Sequence, residues 1–256
     1  MAPGVRALGC DVARLSVNVN KVATIRNSRG GHAPSVREAV EVCIAAGARG
    51  ITVHPRADAR HITADDVHDI AGCLADAEGG VELNVEGDPR PDLLDLVHAV
   101  KPGQCTLVPV RPGEITSQAG WAADTPPGAL AHVVGGLRAA RVRVSLFVDP
   151  DEGAIQWAAG LGADRVELYT EPFARAFERG GDEARRSFAM YTRAAELAHV
   201  LGLGVNAGHD LDLDNLVMFR GLPHLDEVSI GHALVSRAVF VGLAQAVREY
   251  LDVLAS

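Results

Sequence analysis

Residues 50–62 read GITVHPRADARHI. The opening GITV is β-branched, apolar and too short for a helix, so it reads as a strand covered on both faces. The character then changes within one residue. His54, Arg56, Arg60 and His61 place two imidazoles and two guanidiniums within eight residues, immediately past the strand end. A surface loop needs only to be polar. A cluster of cations and titratable rings at the end of a buried parallel strand is how the catalytic mouth of a β/α barrel is built.

The same unit recurs in both directions. Further strand candidates lie at 15–19, 81–85, 104–109, 143–148, 165–169, 204–206 and 227–230, making eight with 50–54. Most are near-continuous apolar runs, as parallel strands under helices are. Helical patterns separate them. Ser35 opens SVRE, a capping box with Glu38, and that helix runs to Gly47. Thr63 caps the next, which ends at Gly79 and Gly80. Asp149-Pro150 reads as an N-cap followed by a first-turn proline. Helices at 211–219 and 232–254 follow the last two strands. Eight βα units predict an α/β fold, a closed (β/α)8 TIM barrel over residues 1–256 as one domain. No glycine-rich fingerprint follows the first strand, which disfavours a dinucleotide-binding sheet. AGARGITVH (46–54) and LGADRVELY (161–169) echo one another four units apart. Two stretches exceed the barrel: 110–128, long and turn-rich as lids are, and 171–187, charged and helical, which predicts peripheral helices.

Composition agrees and narrows the function. A 256-residue chain is ordinary for one such barrel, and 48% hydrophobic residues supply a large core. Aromatics make up only 4%, so that core must be aliphatic. A net charge of −9 argues against nucleic acid or a membrane surface as partner, so an anionic ligand needs a local cationic site. The four cysteines are scattered with no CxxC pair, which fits reduced thiols rather than disulfides or zinc. With no apolar leader and no run of transmembrane length, a soluble cytoplasmic protein is expected.

Polar residues at the strand ends define the candidate site. Asn18, Asn20 and Lys21 follow the first strand, with Arg26 and Arg29 beyond. His54 and Arg56 follow the second, Glu86 the third, and Thr116 and Ser117 lie after the fourth. Asp149 ends the fifth. Glu167 lies near the end of the sixth, His209 and Asp210 follow the seventh, and Gly231 and His232 the eighth. Each has a plain structural alternative: a solvated histidine, a carboxylate paired with a surface arginine, an ordinary charged loop. Their convergence on one mouth favours acid–base chemistry by His54, Glu86, Glu167 and His209. Arg29 and Arg56 suit bidentate phosphate contacts, and Gly231-His232 opens a helix whose N-terminus favours an anion. Lys21, Arg56 and His61 offer room for a second anion. A metal is not expected: VNVN stands after the first strand and no HExxH occurs. Cys105, early in a buried strand with no base beside it, is a poor nucleophile.

The longer motifs resemble one family. VNVNKVATIRNSRGG (17–31), GITVHPRADARHI (50–62), LNVEGDP (83–89), CTLVP (105–109), VELYTEPFA (166–174), GVNAGHDL (204–211) and SIGHALVSRAV (229–239) are similar to the pyridoxine 5'-phosphate synthase family, across essentially the whole barrel. The resemblance implies condensation of 3-amino-2-oxopropyl phosphate with 1-deoxy-D-xylulose 5-phosphate, with no metal or organic cofactor. It implies His54 and Glu86 as bases, His209 as proton donor and Glu167 as transition-state support. It assigns Asn18, Arg29, Asp210, Gly231 and His232 to the amino-ketone phosphate. Asn20, Lys21, Arg56, His61 and Thr116 fall to the pentulose phosphate, under a closing loop that carries Thr116. It also implies a homo-octamer of dimers. Departures are Asn20-Lys21 where Asp-His is frequent, Val110 in place of an acidic residue, Asp210 in place of glycine, and Trp121 in the loop. A phosphometabolite-binding paralogue without activity, or another phosphate-binding barrel lyase or isomerase, are the alternatives.

Overall fold

The computed structural model describes residues 12–75, 77, 79–109 and 118–256. Eight parallel strands close in sequence order: β1 (Arg14–Asn18), β2 (Gly50–Val53), β3 (Glu82–Gly87), β4 (Gln104–Leu107), β5 (Arg143–Val148), β6 (Arg165–Tyr169), β7 (Gly204–Gly208) and β8 (Leu225–Ile230). Outside them lie α2 (Val36–Ala45), α3 (Ala64–Ala75), α4 (Pro91–Val100), α5 (Gly128–Ala139), α6 (Glu152–Gly160) and the helices named below. The expected (β/α)8 barrel is the fold.

The strands differ from the expectation in one respect. They are buried on both faces, but the inner face is polar. Ser16, Thr52, Asn84 and Thr106 point inward at alternate positions between apolar neighbours that face the helices. Their side chains join in a chain: Ser16 to Thr52 at 2.7 Å, Asn84 Nδ2 to Thr52 at 3.4 Å, Thr106 to Asn84 Oδ1 at 3.0 Å. Below this layer the barrel floor is ionic. Arg14 lies 3.6 Å from Glu82 and 3.3 Å from Glu227, Arg143 pairs with Glu82, and Arg165 donates to Asn206 Oδ1 at 2.6 Å.

Side-chain caps open α2, α3 and α6. Ser35 Oγ accepts the Glu38 N–H at 3.2 Å. Thr63 Oγ1 accepts from Asp66 N at 3.2 Å while Asp66 accepts from Thr63 N at 2.8 Å, a reciprocal cap. The expected cap at Asp149 is corrected: α6 is capped by Asp151, whose carboxylate accepts from Ala154 N at 3.1 Å. The expected helix 211–219 is only α9 (Leu216–Phe219) after a turn, because Asn215 and Asp212 spend their side chains on turn bonds. The expected 232–254 helix is two, α10 (His232–Val241) and α11 (Leu243–Ala255), broken at Gly242 with φ 85°.

Three elements exceed the simple barrel. α1 (Asn20–Asn27) begins two residues after β1, so Asn20 and Lys21 sit on its first turn. α7 (Glu171–Arg179) and α8 (Gly181–Val200) form the peripheral helices predicted from 171–187. The scarce aromatics gather there: Phe173, Phe188, Tyr191 and Phe219 pack with ring centroids 5.0–6.1 Å apart. Tyr191 donates its hydroxyl to the Tyr169 carbonyl at 2.5 Å, tying α8 to the end of β6. Of the expected lid, residues 110–117, with Val110, Thr116 and Ser117, lie outside the described residues. The remainder is docked. Trp121 N donates to Phe147 O and its indole to Leu107 O, both at 2.9 Å. No described helix is long and apolar enough to cross a membrane.

Candidate active site

A cavity of about 450 Å³ opens at the C-terminal ends of the strands. Of the predicted residues, His54, Glu86, Glu167, His209, Asn18, Asn20, Lys21, Arg56, His61, Asp210, Gly231 and His232 all line it. Arg29 does not: it is exposed in the turn after α1. Arg26 is used structurally, paired with Asp66 at 2.5 Å and donating to the His61 carbonyl at 3.2 Å. Thr116 lies outside the described residues. Sequence reasoning missed Thr24, Arg60, Phe147 and Ser229, which also line the cavity. Only Arg60 carried a signal, in the cation cluster of 50–62.

His54 is fixed by backbone rather than by its ring. Its N–H donates to Asn20 Oδ1 at 2.9 Å, and Asn20 N donates to Asn18 Oδ1 at 3.0 Å. These two bonds lock the ends of β1 and β2 together. The side chain is 10% exposed, its Nδ1 stands 3.9 Å from Glu86 Oε2, and its Nε2 has no hydrogen-bond partner among the described residues. Burial first, then the charges of His61, Arg56, Arg90 and His209, push its pKa down to about 3. His54 is therefore a neutral imidazole with an accepting nitrogen at physiological pH.

The carboxyls are shifted the opposite way. Burial, then Glu167 and Glu227, hold Glu86 well above the usual carboxylate range. Burial and Glu227 push Glu167 up to about 8. Across the His54–Glu86 contact, burial thus favours the uncharged form of both groups. Glu167 lies so close over Gly208 that any Cβ there would collide with its Oε1, and its Oε2 has no partner among the described residues. A neutral imidazole and two carboxyls raised by burial in one cavity form an acid–base set with its pKa values spread apart.

His209 sits on a bent support. It has φ 87° and the next residue, Asp210, φ 58°, both in the left-handed region. Thr170, fully buried, donates to the Gly208 carbonyl at 2.7 Å and also to the His209 carbonyl, while Asn215 Nδ2 donates to the Asp210 carbonyl at 3.0 Å. These bonds hold the turn and aim the imidazole edge-on at the Tyr169 ring, centroids 5.4 Å apart. Asp210 Oδ2 is 3.9 Å from His209 Nδ1, and the neighbouring His209 is the main cause that lowers the Asp210 pKa.

Two zones that favour an anion flank this centre, one a helix start and the other cationic. On the β8–β1 side, Gly231 approaches Asn18, where an added Cβ would stand 3.0 Å from the Asn18 Cβ, and α10 starts at His232 with its N–H groups toward the cavity rim. On the β1–β2 side stand Lys21, Arg56, Arg60 and His61. Burial, then Arg56, Lys21 and Arg60, lowers His61 to about 4. The arrangement suits a ligand with an anionic group at each side and reacting atoms between.

Comparison with known proteins fits this geometry. The family model for the pyridoxal phosphate biosynthesis protein PdxJ matches residues 15–256. A pyridoxine 5'-phosphate synthase of Phocaeicola vulgatus is 48% identical over 246 residues, covering 96% of this chain and all of the relative. One of Leptospira biflexa is 47% identical, covering 95% and 97%. Among solved structures, KGPDC from Streptococcus mutans superposes with a TM-score of 0.64 over 96% of this chain and 98% of that one, at 10% identity, a likeness of fold alone. With the family model spanning nearly the whole chain and these relatives near half identical from end to end, the chain belongs to the PdxJ family of pyridoxal phosphate biosynthesis proteins.

Proposed function

We propose that the chain is a pyridoxine 5'-phosphate synthase. It joins 3-amino-2-oxopropyl phosphate to 1-deoxy-D-xylulose 5-phosphate, giving pyridoxine 5'-phosphate, one inorganic phosphate and two waters. The observation that carries the reading is one cavity that gathers His54, Glu86 and Glu167, all buried, with burial lowering the imidazole and raising both carboxyls, between Lys21, Arg56 and Arg60 on one side and the start of α10 on the other. Amine and ketone condense to an imine, carbon-bound protons leave, and hydroxyls depart as water. His54 Nε2 accepts a proton from carbon, and Glu86, once deprotonated, is the second base. His209 delivers a proton to a departing oxygen, and Glu167 steadies developing charge through its carboxyl proton. Asn18, Gly231, His232 and Asp210 take the amino-ketone phosphate, with Arg29 the remaining candidate there. Asn20, Lys21, Arg56 and His61 take the pentulose phosphate, with Thr116. Holding both phosphates turns a bimolecular condensation into an intramolecular one.

A phosphometabolite-binding protein needs the cations but not two carboxyls buried in the same cavity, so those carboxyls favour the enzyme. The same reading places the protein in the cytoplasm as a homo-octamer of dimers. The exposed Val239 and Phe240 at the end of α10, at 70% and 85%, suit contact between copies, and sedimentation velocity tests it. The activity is tested by incubating purified protein with both substrates, without added metal, and detecting pyridoxine 5'-phosphate by mass. Folded protein that binds both phosphates and yields no product would favour the binder.

A further inference from the structure

Asp58 and Arg60 have no part in the chemistry above, yet their geometry is specific. Arg60 lines the cavity beside Arg56 and His61, whereas Asp58 does not. The chain between them turns sharply. Ala59 N donates to the Arg56 carbonyl at 3.0 Å, and Ala59 itself has φ 49°, a left-handed conformation that an alanine adopts only under constraint. The turn folds Arg60 back onto Asp58. Arg60 Nε donates to Asp58 Oδ2 at 2.8 Å and Arg60 N to Oδ1 at 3.3 Å, while Arg56 Nε stands 3.9 Å from Oδ1. One carboxylate thus faces two guanidiniums, in the way a phosphate takes a pair of arginines. The Asp58 carboxyl is held down to about 2, chiefly by its bond from Arg60.

We propose that Arg60 is a phosphate-binding residue at the β1–β2 side of the cavity and that Asp58 is its built-in competitor for dianionic phosphate monoesters. The inference deepens the proposed function and rests on its assignment of a phosphate to this side. Asp58 carries one charge and its side chain is 44% exposed, so its hold on Arg60 is screened and weak. A phosphate monoester brings nearly two charges and three acceptor oxygens, and takes both arginines over from it. A ligand with a single carboxylate has no such advantage. Asp58 therefore acts as a threshold that selects phosphate over weaker anions, and it leaves Arg60 ordered rather than trailing into solvent.

The test is calorimetric titration of inorganic phosphate into the full-length protein, as wild type, Asp58→Asn, Arg60→Gln and the double variant. Removing the competitor should tighten phosphate binding roughly threefold, the scale of one exposed ion pair. Arg60→Gln should weaken it about tenfold, the scale of one charge-assisted bond. In the double variant the gain from Asp58→Asn should vanish. An unchanged affinity in Asp58→Asn overturns the competition, and so does a gain that survives without Arg60, since that would be a general charge effect. An unchanged affinity in Arg60→Gln overturns its role as a ligand even if Asp58→Asn fails to fold. The readout is binding, so it stands apart from activity. A wild type that makes product with unaltered phosphate affinity in all variants sinks this inference alone. A wild type without product sinks the proposed function and leaves the titration to decide the anion site.

Discussion

His54 concentrates the chemistry of the site in one side chain whose backbone, rather than ring, is anchored. Its N–H is held by Asn20, its Nε2 has no partner among the described residues, and burial keeps it neutral. His54→Asn should therefore lower kcat by about 10²- to 10⁴-fold while phosphate affinity in a titration stays close to wild type. Glu167 gives a prediction in stability. Its pKa is near 4.5 in an unfolded chain and about 8 in the fold, so the fold binds a proton that the unfolded chain has released across that window. The stabilisation is complete below about pH 4.5 and is lost as pH rises through 8, at up to about 1.4 kcal/mol per pH unit. Glu167→Gln cannot ionise. Its melting temperature should exceed that of wild type at pH 8, with the gap closing toward pH 5 in calorimetric scans. These residues were legible in the sequence because barrel chemistry sits where strands end. Arg29 shows the limit: the sequence gives its distance past β1 but not the direction in which the turn after α1 carries it.

Elements were legible to the extent that their signals are local. The Ser35 and Thr63 caps need only the next three residues, and both caps form. Asp149-Pro150 also carries the signal, but the helix takes Asp151, two residues on, while the Asp149 carboxylate accepts from Gly120 N at 3.4 Å. The polar inner face was visible as alternation in RLSVN, ELNVEG and GVNAG, yet the apolar residues between dominate a reading by hydrophobicity. Gly120 shows a requirement no local pattern carries. An added Cβ would overlap the backbone of Val148, where Trp121 pairs alongside β5. Gly120→Ala should destabilise the fold by about 2 kcal/mol or more in urea titration, through a backbone shift. Trp121→Phe, which loses the indole bond to Leu107 O and part of the ring packed near Trp157, should cost about 1–2 kcal/mol.

The whole molecule is an acidic barrel with an ionic floor and a cation-lined mouth. The floor was invisible in the sequence, since Arg14, Glu82, Arg143, Arg165 and Glu227 meet only after the barrel closes. Glu82 is the shared partner of Arg14 and Arg143 and is 12% exposed. Glu82→Ala removes the carboxylate shared by Arg14 and Arg143, leaving Arg14 to Glu227 and Arg143 to Gln104, and should lower stability by about 2 kcal/mol, with the phosphate titration unchanged for protein that remains folded. At the mouth, separate strands bring His54, Glu86, Glu167 and His209 to one cavity, and the account stands on their acting as a unit. The most direct measurement is single-turnover formation of pyridoxine 5'-phosphate from the two phosphorylated substrates, by wild type and by His54→Asn. The account predicts product from wild type and at least a hundredfold slower appearance from the variant. Equal rates from both proteins, or no product from a wild type that binds phosphate, would contradict it.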